Sequence, residues 1–491
     1  MIEIAVTCLV VVPLACGLAI WALRLPSVAG PAALAASIVA LIAAAAIATT
    51  VQTDGAQSAY GGWVYVDSLS VVVLVLICIV GVCATANSLS YIAHDVAQGE
   101  LREQDQTRYY ALLLGFMATM LTVPVANNLG IMWVAIEATT VVSVLLVSIY
   151  RTGPALEAAW KYLVLGSVGI ALALFGTMMT YYASTSIVGE SGNALNWTVL
   201  ARSGGSLEPD VMRLAFVFVL VGYGTKAGLA PMHTWLPDTH SQAPSPVSGL
   251  RSGVLLNCAV YAILRFRVLT IAAVGSSYPD HLMIGFGLFS IAVAVPFLLV
   301  QHDIKRMLGY SSVEHMGIIV LAVGIGGPVA LYAAMLHLVA HSLTKSSLFF
   351  AAGSVVQAFK TRSMHRMRGL IRVTPVAGSV LLVGAFALVG FPPFAMFSSE
   401  YGAVAGSFAH GRAIIGVAGI LLGALAGVSL LSHVIQIAYR EPRRGVTVRR
   451  LPAPAVLSIV TPLALMVWVS VAPPHQFRTA LDDAVAVLEG R

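Results

Sequence analysis

The sequence predicts an all-α integral membrane protein of about 14 transmembrane helices, two of them discontinuous. Three observations lead there. Of 491 residues, 58% are hydrophobic and 10% are charged, whereas soluble chains carry roughly 25% charged residues, and mean hydropathy is +0.90. Apolar stretches of spanning length follow one another along the whole chain. Two of those stretches are overlong and hold clustered prolines. A soluble enzyme is excluded, because no polar shell exists to face water. The net charge of +6 does not point to nucleic acid, since the Lys and Arg residues lie singly or in short loops.

A spanning helix needs about 20 apolar residues. The segments fall near 2–23, 28–51, 64–91, 109–125, 127–150, 155–183, 211–245, 247–271, 281–301, 304–324, 328–357, 371–409, 413–438 and 453–472. The first carries Glu3 ahead of its apolar run and Arg24 behind it, the reverse of a cleaved signal peptide, so it is expected to persist as a helix with its N-terminus outside. Seventeen of the 27 Lys and Arg residues fall in odd-numbered connections, among them Arg24, Arg102, Arg108, Arg151, Arg251, the run 360–372 and the run 440–450. Arg265, Arg267 and five others, Arg491 included, fall on the opposite side. The positive-inside rule then puts both termini outside and the two basic loops in the cytoplasm of a plasma-membrane protein.

The seventh segment reads GYGTKAGLAPMHTWLPDTHSQAPSP and the twelfth GAFALVGFPPFAMFSSE. Proline frees backbone carbonyls that lipid will not satisfy. Two such helices, five apart and crossing in opposite directions, point to inverted repeats around a midplane ion path. The expected organisation is therefore 1–108 (helices 1 to 3), 109–271 (first repeat, helices 4 to 8), 281–438 (second repeat, helices 9 to 13) and 453–491 (helix 14 and a short polar tail).

Ionisable residues at membrane depth are costly and so demand a reason. Glu137 sits mid-segment in NNLGIMWVAIEATTVVSVLLV. Lys226 lies five residues before Pro231; burial favours its neutral form and a nearby carboxylate its charged form, which makes it a candidate proton switch or else a static packing bridge. His233, Asp238 and His240 in HTWLPDTH either extend a polar path into the break or cap its helix ends. His337, His341 and Lys345 recur at four-residue steps, a ladder about 12 Å long on one helix face. Glu400 follows Pro392 and Pro393 and is placed at the outlet. Glu314 and His315 bridge Lys345 to the rest or serve structure alone. Asp303 suits the N-terminal turn that Lys305 and Arg306 continue, and Asp67 and Lys161 read as interfacial. Cys8, Cys16, Cys78, Cys83 and Cys258 lie in apolar runs without a CxxC and read as small hydrophobes. No P-loop, dinucleotide fingerprint, HExxH or nucleophile elbow is present in the sequence.

These residues have a familiar pattern. GYGTKAGLAPMHTWLPDTHSQAPSPVSGL, QHDIKRMLGYSSVEHMGII, HLVAHSLTKSSLFFAAGSV and GFPPFAMFSSE resemble the antiporter-like proton-translocating subunits shared by respiratory complex I, Mrp cation/proton antiporters and group 4 NiFe-hydrogenases. The resemblance spans roughly helices 3 to 13. It implies a coupled pair at Glu137 and Lys226, a relay at His337, His341 and Lys345, and a terminal charge at Glu400. Where many complex I members carry a central lysine on helix 8, this chain reads LLNCAVYAILRF with Asn257. That variant, with GYGTKAGL and SSVEHMG, looks closer to the hydrogenase-4 component F type. The short tail after residue 473 implies that the lateral arm of the most distal complex I subunit is absent. The resemblance further implies a proton path driven by redox chemistry in partner subunits, one of them a neighbouring antiporter-like or anchor subunit. Iron–sulfur, NiFe or flavin cofactors are expected there and none in this chain. An Mrp-type cation/proton antiporter and a non-conducting structural arm are the rival readings.

Overall fold

A computed structural model describes residues 2–189, 192–442 and 448–490; Arg443, Arg444 and Arg491, used above as orientation signals, lie outside them. The chain begins with α1 (Ile2–Leu23) and α2 (Pro26–Asp54), then a small antiparallel hairpin of β1 (Gln57–Ala59) and β2 (Val64–Val66) that the hydropathy pattern does not announce. Next come α3 (Ser68–Ala97), α4 (Glu103–Thr122), α5 (Leu129–Val147), α6 (Gly153–Val188) and the short α7 (Trp197–Arg202). The first interrupted crossing is α8 (Pro209–Ala227) and α9 (Trp235–Gln242). It leads into α10 (Ser245–Leu250), which runs through a π-helical turn at Arg251–Leu255 into α11 (Leu256–Val274). The rest is α12 (Ser277–Leu299), α13 (Ile304–Ile325), α14 (Gly327–Phe359), the one-turn α15 (Leu370–Val373), α16 (Pro375–Leu388), α17 (Ala395–Ala409), α18 (Ala413–Tyr439), α19 (Ala453–Val471) and α20 (His475–Leu488).

Among the described residues, eleven helices are long and apolar enough to cross a membrane, and the protein is an all-helical, multi-pass membrane protein. Segments seven, eleven and twelve fall outside that set; they are the ones that hold the breaks and the histidine–lysine ladder. Helix starts follow local chemistry. Asp67, Asn128, Thr152 and Asp303 each cap the helix that follows, accepting from backbone N–H groups of its first turn.

At the first break, Gly228 adopts a left-handed conformation (φ 78°) that closes α8. The backbone groups freed there are satisfied by side chains. The Trp235 indole donates to the Thr225 carbonyl at 2.9 Å, and the Ala230 N–H donates to Ser290 Oγ at 2.9 Å. The second break spans 389–394, and the Ala395 N–H beyond it donates to Ser470 Oγ at 2.7 Å.

Packing sorts the helices by depth. α13 and the continuous helix from Ser245 to Val274 are buried almost throughout, whereas α1, α2, α18 and α19 present apolar faces outward. Glycines bring two helix pairs into backbone contact. A side chain at Gly222 of α8 would run into the Ala173 backbone nitrogen of α6, and one at Gly287 of α12 would lie 2.7 Å from the Leu321 nitrogen of α13.

Three arginines expected in connections are buried in helices. Arg251 is fully enclosed at the π turn. Arg265 makes a two-pronged pair with Asp67, both contacts 2.7 Å, while stacking over Trp197 at 4.4 Å. Arg267 pairs with Asp280 at 2.7 Å. They were misplaced because an arginine near a helix end reads as a loop cation until a partner across the bundle is known. Burial works against the Asp67 carboxylate, but the Arg265 guanidinium and the Ser70 N–H hold its pKa below the ordinary carboxylate range. The polar tail is also corrected. Residues 475–488 form α20, whose Leu481, Ala484 and Leu488 are buried.

Breaking a buried ion pair from one side leaves the other charge uncompensated, at a cost of about 3–5 kcal/mol. Arg265→Met is therefore expected to lower thermal stability in detergent sharply, and adding Asp67→Asn to recover part of the loss. A double variant no more stable than Arg265→Met would show that the pair is not the source.

Candidate functional site: a buried polar axis

At one end, Glu137 on α5 is half-buried and its carboxylate accepts from Thr140 Oγ1 at 2.8 Å. Having donated its only proton, the Thr140 hydroxyl acts as acceptor toward Lys226 Nζ, which is in hydrogen-bond contact with it. Glu137 and Lys226 are thus joined through one hydroxyl rather than by a direct pair. Lys226 is buried in the last turn of α8, where the first break begins, and its amine also lies 3.5 Å from Tyr162 Oη. Ser143 donates to the same phenol at 3.1 Å, and Tyr162 packs on Trp235 with ring centroids 4.6 Å apart.

Beyond Tyr162 lies Arg251, which the sequence reading did not include in the site. Its guanidinium sits 4.5 Å from the Tyr162 ring centre and 5.4 Å from that of Trp235. None of its nitrogens meets full hydrogen-bond geometry, the Tyr162 phenol being its polar neighbour, and it has no carboxylate partner among the described residues. The signal that would have found it is its place in the stretch 241–264, where it is the sole charged residue. His240 follows, fully buried against Phe349 at 4.9 Å, with neither ring nitrogen hydrogen-bonded. Its charged surroundings are Arg251, Lys305, Lys345 and His341.

The centre is bridged by hydroxyls and one amide. Asn257 Nδ2 donates to Ser342 Oγ at 2.6 Å and to the Gly253 carbonyl at 3.0 Å, and Ser252 and Ser312 are 2.8 Å apart. Lys345 donates to the Leu308 carbonyl at 3.1 Å and contacts the Ser311 hydroxyl.

The α14 ladder interleaves with α13. His341 packs beside His315 with ring centroids 5.6 Å apart, and His315 Nδ1 lies 3.0 Å from His337 Nε2. His337 Nδ1 lies 2.9 Å from Ser399 Oγ. Ser399 donates its own proton to the Met396 carbonyl at 2.8 Å, so it accepts from His337 Nδ1–H, and His337 Nε2 in turn accepts from His315 Nδ1–H. Glu400 is the next residue. It is half-buried, turned toward Gly390 in the second break, and lines a cavity with Ile291, Leu321 and Val404. The charged groups around Glu314 are Glu400 and Lys345.

Two predicted residues stand apart from this line. His233 packs among Phe297 and Tyr310. Asp238 is an ion-pair junction between Lys161 at 3.1 Å and Arg306 at 2.5 Å. A cleft of about 560 Å³ opens beside the axis on the face that carries the basic loops. Lys305, His94, Tyr150 and Gln357 line it, and Lys305 is buried, donating to the Ala243 carbonyl at 2.5 Å. On the opposite face a cavity of about 370 Å³ is lined by Arg267, Asp280, His410 and Arg412.

Fold and axis together define a multi-pass membrane protein whose ionisable side chains form a line through the middle of the bundle. The chain belongs to the NADH:quinone oxidoreductase/Mrp antiporter transmembrane family, which matches residues 126–426. It is 40% identical over 383 residues to the hydrogenase-4 component F homolog of Methylacidiphilum infernorum, covering 78% of this chain and 80% of that one. It is 28% identical over 432 residues to NADH-quinone oxidoreductase subunit N of Desulforudis audaxviator, covering 85% and 83%. A chain of an archaeal respiratory membrane complex, the membrane-bound sulfane sulfur reductase, has the same fold, with a TM-score of 0.88 at 21% identity over 99% of this chain and 98% of that one.

Removing a hydrogen bond to a charged group costs about 1.5–3 kcal/mol. Thr140→Val, which severs the contacts between Glu137 and Lys226, is expected to melt at a clearly lower temperature than Thr140→Ser, which keeps them. Equal melting temperatures would show that the hydroxyl does not link the two.

Proposed function

We propose that the chain moves protons across the plasma membrane as a subunit of a redox-driven complex of the hydrogenase-4 or NADH dehydrogenase kind. The observation that carries this reading is the chain Lys226–Thr140–Glu137. A buried ammonium hydrogen-bonded toward a carboxylate through a hydroxyl is held charged only while the carboxylate stays near. In this scheme a charge change in the neighbouring subunit draws Glu137 away, Lys226 loses its counter-charge, and its proton passes inward toward Lys345. His337, His341 and His315 relay the proton to Glu400 at the outlet. That charge change acts by shifting populations between the two arrangements, not by pushing atoms.

The donor order supports a path with two ends. Lys226 points its proton toward Glu137, and His315 and His337 point theirs toward Ser399, beside Glu400. Asn257 holds no titratable proton, so the link between the halves falls to the serines, His240 and water. The two breaks belong to inverted repeats at 109–271 and 281–438 within about 14 crossings, with both termini outside and the basic cleft in the cytoplasm. Redox cofactors, iron–sulfur, NiFe or flavin, reside in partner subunits.

A second reading follows from the family description, which includes Mrp antiporters: exchange of a metal cation for protons. A sodium-dependent pH change in vesicles would favour it. For the first reading, Lys226→Ala and Glu137→Gln are expected to abolish proton pumping, measured by quenching of an acid-sensitive dye, while the complex still assembles. Normal pumping by either variant refutes the scheme.

A further inference from the structure

Arg251 is the cation of the axis that, among the described residues, has no carboxylate partner and no nitrogen in full hydrogen-bond geometry, the Tyr162 phenol being its polar neighbour. Guanidinium does not deprotonate in proteins, so this position is positive at every stage of a cycle. Burying a charge without a counter-ion is costly, and its retention at membrane depth points to use. Its position is specific. On one side Lys226 and Arg251 share the Tyr162 ring, at 5.1 and 4.5 Å from its centre. Arg251 also faces His240, whose other charged neighbours are Lys305, Lys345 and His341. The π turn sets Arg251 inward, since the extra residue in that turn redirects the side chains around it. Further along, the same helix presents Asn257, which carries no charge. Among the described residues, the fixed charge between the two halves is therefore a permanent cation resting on two aromatic faces.

We propose that Arg251 is the selectivity barrier of the axis, a non-titrating cation that bars alkali-metal ions from passing between the Lys226 half and the Lys345 half and suppresses proton leak in the absence of turnover, while driven proton transfer goes over the serines, His240 and water beside it. A fixed positive charge in a narrow low-dielectric passage repels every mobile cation that approaches it. The flanking groups can still respond to one another's charge across it. This rests on the reading of the axis as a charge path.

The test uses the whole complex in sealed vesicles, without turnover, under an imposed membrane potential. Passive proton flux and radioactive sodium uptake are measured for the native chain, Arg251→Gln and Arg251→Lys, each first shown to assemble by size-exclusion chromatography. The native chain is expected to be tight, and Arg251→Gln to raise proton or sodium flux at least about tenfold. Arg251→Lys, whose ammonium can lose its proton in this site, is expected to be tight at acidic pH and to leak as pH rises. Equal fluxes for the native chain and Arg251→Gln overturn the proposal. So does a leak in Arg251→Lys at acidic pH as large as in Arg251→Gln, since shape rather than charge would then be the cause. Turnover-driven pumping, measured separately, decides the transport reading: its absence in the native complex would refute that reading, while the passive fluxes still decide the barrier.

Discussion

A backbone that stops being helical within a bilayer exposes polar groups that lipid will not hydrogen-bond. In this chain the interruption after Ala227 is tolerated because the Trp235 indole covers the Thr225 carbonyl and Ser290 covers the Ala230 N–H. Much of the axis depends on that arrangement. The indole that satisfies the backbone also forms one wall of the aromatic pair on which Arg251 lies, and the other wall, Tyr162, is what Lys226 reaches across. Losing the Trp235 bond would disturb a helix end, an aromatic stack and the placement of two cations together.

Buried charge is handled in two distinct ways. Toward the rim, Asp67 with Arg265 and Asp280 with Arg267 are matched one to one, with short multiple contacts. Along the axis, Lys226, Arg251 and Lys345 have no direct carboxylate contact among the described residues and are held by hydroxyls, carbonyls and rings instead. The first arrangement resists change in either partner. The second leaves each cation sensitive to small shifts of a distant carboxylate, since a hydroxyl bridge transmits a proton without anchoring the charge.

Hydropathy and proline clustering made the helical membrane architecture and both interruptions legible, because each is written in a run of neighbouring residues. The ladder at His337, His341 and Lys345 was visible for the same reason. Its interleaving with His315 was not, since α13 supplies that ring from another crossing. Arg251, Arg265 and Arg267 misled because the sequence shows an arginine's distance from a loop but not its partner across the bundle. Asp238 was legible as polar and near the break, yet its ties to Lys161 and Arg306 place it in an ion-pair junction. The hairpin at 57–66 and the tail helix α20 went unseen because short elements carry too few residues for their periodicity to stand out.

The glycine contacts between α6 and α8, and between α12 and α13, have a mechanical consequence. Backbones that touch at Gly222 and Gly287 leave no room for one helix to slide or roll over its neighbour. Each pair acts as a stiff strut beside the line of titratable groups. In such a frame rearrangement is left to side-chain swings and hydrogen bonds, so the proposed charge movement would leave the outer contour of the protein little changed.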